Sequence, residues 1–125
     1  MTVMIVDDSI EIRGLLRDLV SPLADRVVEC VDGQDFLDQY DASSPDWTVM
    51  DVRMPRLDGL SAMRTLHALR PSARVLLMTE FPSLALVQAA QAAGALGCLA
   101  KEYLHRVPEL LQSGFEGEIQ PLPIS

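Results

Sequence analysis

Apolar residues fall into five short runs, separated by stretches in which they recur every three or four positions. Residues 2–6 (Thr-Val-Met-Ile-Val) are a continuous run, which predicts a strand buried on both faces. Ser9 then offers a helix cap, and Ile12, Leu15, Leu16, Leu19 and Leu23 follow at helical spacing until Pro22 ends or kinks the helix. Val27 to Val31 predicts a second strand. Asp32-Gly33 turns the chain, and Phe36, Leu37 and Tyr40 mark the inner face of a short helix. After the loop Ser43-Ser44-Pro45, Trp47 to Met50 forms a third run that ends in Asp51. Beyond a turn-forming loop, a helix starting near Asp58 carries Leu60, Met63, Leu66 and Leu69. Arg70-Pro71 stops it, because a residue before proline avoids the helical region. Val75 to Met78 is a fourth run, ending in Thr79. Pro82 or Ser83 opens a helix with Leu84, Leu86, Val87 and Ala90, and Gly94 closes it. Gly97 to Ala100 is a fifth run, ending in Lys101. Pro108 fits the first turn of a last helix with Leu110 and Leu111.

Strands and helices therefore alternate five times. That pattern predicts an α/β fold: a doubly wound, five-stranded parallel sheet of flavodoxin-like order 2-1-3-4-5, helices on both faces, joined by right-handed crossovers. One domain is expected over 1–115, with 116–125 a C-terminal tail or linker, because those last residues hold two prolines and no periodicity. No second domain or internal repeat is apparent.

With 125 residues, 49% of them apolar, the chain is large enough for one core. A net charge of −8 argues against direct contact with nucleic acid, whose phosphates need a basic stripe. Cys30 and Cys98 fit no metal spacing and are expected to be buried thiols of a reducing, cytoplasmic compartment. The chain starts directly on a strand, with no signal peptide, and no run is long enough to span a bilayer. His67 and His105 are expected in solvent. Arg13, Arg17, Arg64 and Arg70 are expected on outer helix faces, and Met50, Met54, Met63 and Met78 in core or loop packing.

The reactive residue types all stand just after strands: Asp7 and Asp8 after the first, Asp51 after the third, Thr79 after the fourth, Lys101 after the fifth. In the order 2-1-3-4-5 the first and third strands are neighbours at the switch point, where ligands bind. Asp8 and Asp51 are then within a few ångströms. Crowded carboxylates repel, and a divalent cation such as magnesium, which takes oxygen ligands, relieves them. Lys101 adds a point charge and Thr79 a hydroxyl. Such a set suits phosphoryl transfer to an aspartate, with Asp51 attacking in line.

Val6-Asp7-Asp8, the stretch Asp51-Val52-Arg53-Met54-Pro55-Arg56-Leu57-Asp58-Gly59, Leu77-Met78-Thr79, and residues 94–101 ending in Lys101 together resemble the receiver domain of two-component response regulators. The resemblance covers nearly the whole chain, in order. It implies that Asp51 is the phosphoacceptor, phosphorylated by a histidine kinase or histidine phosphotransfer protein. It implies Mg2+ (or Mn2+) held by Asp8, Asp51 and the backbone carbonyl of Arg53, with Asp7 acting through a water. Lys101 would hold a phosphoryl oxygen and Thr79 would move toward it as the switch. The chain would then signal to a downstream protein partner, with no membrane contact and no enzymatic activity beyond its own phosphorylation and dephosphorylation.

Three positions depart from the family pattern. Cys98 stands where an aromatic switch residue is usual, Glu80 where a small residue follows the threonine, and Glu102 where many relatives have proline. Glu80, with Phe81 and Arg53, is expected to tune the lifetime of the phosphorylated state. Two other readings compete with a stand-alone switch: a receiver-like interaction module that has lost phosphorylation, and the receiver part of a longer DNA-binding regulator. An aspartyl-phosphate phosphatase would want an acid two residues after the nucleophile, where this chain has Arg53.

Overall fold

The computed structural model describes residues 1–113; the expected tail at 116–125 lies outside the described residues. Five strands, β1 (Thr2–Val6), β2 (Arg26–Cys30), β3 (Trp47–Asp51), β4 (Val75–Thr79) and β5 (Gly97–Ala100), alternate with α1 (Ile10–Val20), α2 (Gly33–Ser43), α3 (Gly59–Leu69) and α4 (Leu84–Ala92). A 3₁₀ helix, Lys101–Arg106, leads into α5 (Val107–Ser113). The strands pair in parallel in the order β2-β1-β3-β4-β5, as expected.

Successive strand residues point to opposite faces, so each strand supplies both halves of the core. Met4, Val6, Met50, Leu77 and Cys98 face one way, where Phe36 of α2, Met63 and Leu66 of α3 and Val87 of α4 cover them. Val3, Ile5, Val49, Leu76 and Leu99 face the other, under Leu16 and Val20 of α1 and Leu110 and Leu111 of α5. Burial on both faces is why the strands read as unbroken apolar runs. Each large side chain fully buried this way stabilises by about 1.5–3 kcal/mol.

Ser9, Asp32, Asp58 and Ser83 cap α1 to α4, each side chain accepting the amide three residues on. Asp32 is thus a cap, with Gly33 already helical, rather than part of a free turn. The structure corrects several other expectations. β2 ends at Cys30, leaving Val31 44% exposed. Of the adjacent pair Leu15 and Leu16, only Leu16 reaches the sheet, since neighbours on a helix are about 100° apart. Leu69 and Leu84, at the ends of their helices, point to solvent. The last helical segment starts at Lys101 as a 3₁₀ turn, well before Pro108.

Candidate functional site

All five strands run the same way, so their carboxyl ends share one edge. β1 delivers Asp7 and Asp8 there, β3 ends in Asp51, β4 in Thr79, and Lys101 follows β5. Register holds the set in line: Asp51 pairs with Met78, and Thr79 with Ala100. Asp7 continues the ladder through its amide, which donates to the Cys30 carbonyl at 3.1 Å. Its Oδ1 accepts the Ser9 amide at 2.8 Å, closing the turn into α1.

The loop after Asp51 is tied down at several points. The Gly59 amide donates to the Val52 carbonyl at 2.8 Å, and a Cβ at Gly59 would strike the Asp51 carbonyl. The Gly33 amide donates to the Leu57 carbonyl at 3.0 Å. Arg56 adopts φ +66°, and its guanidinium meets the Asp32 carboxylate at 2.6 Å. The segment between β3 and α3 is therefore anchored to the start of α2.

Asp7, Asp8 and Asp51 each offer a carboxylate oxygen, and these oxygens all lie within 4.8 Å of one another. Asp7 is fully buried, Asp51 nearly so, and Asp8 is exposed. Lys101 Nζ lies 3.0 Å from Asp7 Oδ2, 3.3 Å from Asp51 Oδ2 and 3.9 Å from Glu80 Oε1. The expected convergence of residues 8, 51 and 101 is what the structure places. Burial, and then the charge of Asp7, push the Asp51 carboxyl up to about 6 against the pull of Lys101. Burial by itself would lower Lys101; its close contact with the Asp7 carboxylate and the charge of Asp51 outweigh that and hold it above the usual lysine value. Asp7 Oδ2 touches Lys101 without hydrogen-bond geometry and is a buried oxygen with acceptor capacity to spare.

Hard oxygen donors in excess of local positive charge, one of them unsatisfied, fit a small divalent cation. They line a pocket of about 490 Å³ whose outer wall is made by Arg53, Glu80 and Phe81. The Arg53 guanidinium lies 5.2 Å from the centroid of the Phe81 ring, which is 63% exposed. The Arg53 amide reaches Asp51 Oδ1 at 3.4 Å, a weak contact. Thr79 is buried at the end of β4, one residue before the pocket-lining Glu80, its Oγ1 accepting the Phe81 amide at 3.1 Å.

Cys98 is not at this edge. It is buried in the layer beneath α4, and burial pushes its thiol up to about 11, as it pushes Cys30 up to about 12. Both thiols are therefore protonated and inert at neutral pH. One arginine expected on an outer face is elsewhere: the Arg13 side chain is 12% exposed and donates to the Asp7 carbonyl at 2.7 Å and to Glu29 at 2.9 Å. Nothing at its own position marked it, because its partners are a backbone carbonyl and an acid on β2. Among the described residues, no helix is long and apolar enough to cross a membrane.

Comparison with known proteins gives the arrangement a context. Residues 3–112 match the family model described as the response regulator receiver domain. The chemotaxis protein CheY of Listeria monocytogenes is 32% identical over 111 residues, covering 87% of this chain and 93% of that protein. A two-component response regulator of the LuxR family from Aurantimonas sp. SI85-9A1 superposes with a TM-score of 0.84 at 27% identity, over 94% of this chain and 86% of that one. The signal receiver domain of the putative response regulator NarL from Mycobacterium tuberculosis gives 0.83 at 27% identity, over 94% and 97%.

Proposed function

Because the chain belongs to the response regulator receiver domain family, we propose that it is a magnesium-dependent phosphorylation switch with Asp51 as phosphoacceptor. The observation that carries this reading is the meeting of Asp7, Asp8 and Asp51 at one sheet edge, with Lys101 against Asp7 and Asp51. An Asp51 carboxylate oxygen attacks the phosphorus of a phosphohistidine on a histidine kinase or histidine phosphotransfer protein. The phosphorus–nitrogen bond breaks, the imidazole leaves with its electron pair and takes up a proton, and an acyl phosphate remains on Asp51. Asp8, Asp51 and the Arg53 backbone carbonyl would hold Mg2+ (or Mn2+), with Asp7 acting through a water. When bound, that cation supplies Lewis-acid neutralisation of the phosphoryl oxygens. Lys101 gives up its contact with Asp51 to hold a phosphoryl oxygen, and the Thr79 hydroxyl turns toward the same group as the switch.

Glu80 and Phe81, with Arg53, tune the rate. The Glu80 carboxylate shares Lys101 with the incoming group and adds negative charge at the mouth of the pocket. Cys98 takes no part in a ring-flip relay, because it has no ring and is packed under α4. That burial is also what favours the second reading, an interaction module that binds its partner without phosphorylation.

Incubation with magnesium and acetyl phosphate, followed by intact mass measurement, separates the two. The switch gains the mass of one phosphoryl group, Asp51→Asn gains none, and a chelator abolishes the gain. A wild-type chain that stays unmodified would leave the interaction module as the surviving reading.

A further inference from the structure

Arg13 ties α1 to the end of β1 and to β2. Its Nη1 donates to the backbone carbonyl of Asp7 at 2.7 Å, while its Nε donates to Glu29 Oε1 at 2.9 Å. Glu29 stands on β2 opposite Ile5 of β1, and its second oxygen accepts Arg17 Nε at 2.8 Å. The Asp7 amide is already held by the Cys30 carbonyl of β2 at 3.1 Å. The backbone of Asp7 is thus gripped at both polar atoms, the amide from β2 and the carbonyl from α1. That carbonyl belongs to the peptide that leads into Asp8. Asp8 is exposed, so the direction of its carboxylate is set chiefly by the backbone that carries it.

We propose that Arg13 is a positioning residue for the divalent cation: it fixes the Asp7–Asp8 peptide plane, and so aims the Asp8 carboxylate into the pocket. This rests on reading that pocket as the cation site. Glu29 is the second half of the device, because it orients the guanidinium so that one face of the fork reaches the carbonyl. A lysine has three donors on a single nitrogen at the end of a flexible stem, so it cannot reproduce the fixed fork that spans the carbonyl and the carboxylate. Groups that orient metal ligands from behind affect affinity by roughly 10- to 100-fold; one acting through a backbone carbonyl sits at the low end of that range.

The neighbouring Arg17 supplies the control. It shares Glu29 but makes no contact with Asp7; its other bond is to the Val27 carbonyl. Calorimetric titration of the full chain with Mg2+ and with Mn2+ should show Arg13→Met weakening binding by roughly fivefold to tenfold. Arg13→Lys should recover part of the loss, and Arg17→Met should bind as wild type does. At saturating cation, the rate of phosphorylation of Arg13→Met by acetyl phosphate should return to within about twofold of wild type, a split that a general loss of fold would not produce. Wild-type affinity in Arg13→Met, or an equal loss in Arg17→Met, overturns the proposal while leaving the cation site intact. If Arg13→Met does not fold, Arg13→Lys decides: unchanged affinity overturns the proposal. A wild-type chain that binds no divalent cation removes the pocket reading and this inference with it, a result distinct from either of the others.

Discussion

At the amino ends of the strands, polar groups settle locally. The N-terminal ammonium meets Asp25, the Thr2 amide donates to Asp46 at 2.7 Å, Arg70 forks onto both oxygens of Asp41, and the Arg74 guanidinium lies 4.6 Å from the centroid of the Trp47 ring. At the carboxyl ends of the same strands, three carboxylates crowd together, two of them out of solvent, and one lysine serves both buried ones. The two ends share backbone, register and core, so the contrast is not imposed by the fold. It shows where unbalanced charge is kept: at the carboxyl edge, at a cost in stability, while the charged groups named at the other edge each meet a local partner.

The largest test of that contrast is Asp51→Asn. In the folded, cation-free chain this carboxyl is raised from the ordinary 3.8 to about 6, so the folded state holds the proton more tightly than the unfolded state does. Its contribution to stability is therefore present below about pH 4 and lost as pH rises through about 6. Removing the charge should stabilise the cation-free protein at pH 7.5 by roughly 2–3 kcal/mol. The gain should shrink as the pH falls from 6 to 4, as read by denaturant unfolding at each pH. Equal stability of mutant and wild type at pH 7.5 would break the contrast.

Gly59→Ala comes next. The added methyl meets the backbone carbonyl of Asp51, which cannot yield without moving the strand end. A loss of about 1–3 kcal/mol is expected in the same unfolding assay, with weakened cation binding. Glu80→Ala should leave stability nearly unchanged, because the side chain is 64% exposed, yet raise the rate of phosphorylation by acetyl phosphate roughly threefold by freeing Lys101. Identical rates would end the tuning role. The smallest effect belongs to the opposite end. Asp41→Ala removes an exposed pair and should cost less than about 1 kcal/mol, with no change in cation affinity.

How far the sequence reveals this molecule depends on the range of the interaction. The five apolar runs are legible because a parallel sheet buries both faces of each strand, and the reactive residues are legible because each directly follows such a run. Leu15, Leu69 and Leu84 mislead because a helical period does not say which of two adjacent leucines, or which end residue, meets the sheet. The 3₁₀ helix at Lys101–Arg106 escapes because a segment one or two turns long has no period to detect. Arg13 escapes for a different reason: its partners are a backbone carbonyl and an acid on another strand, and neither leaves a mark at its own position.

Trp47 is the single tryptophan and is 1% exposed, at the amino end of the strand whose other end is Asp51. Four residue steps along β3 separate them, about 13 Å. Its fluorescence, with the Arg74 cation over the indole, is therefore expected to follow global unfolding and not events at the far end of the strand. The strand that carries Asp51 thus also carries, at its opposite end, a built-in optical probe of the fold.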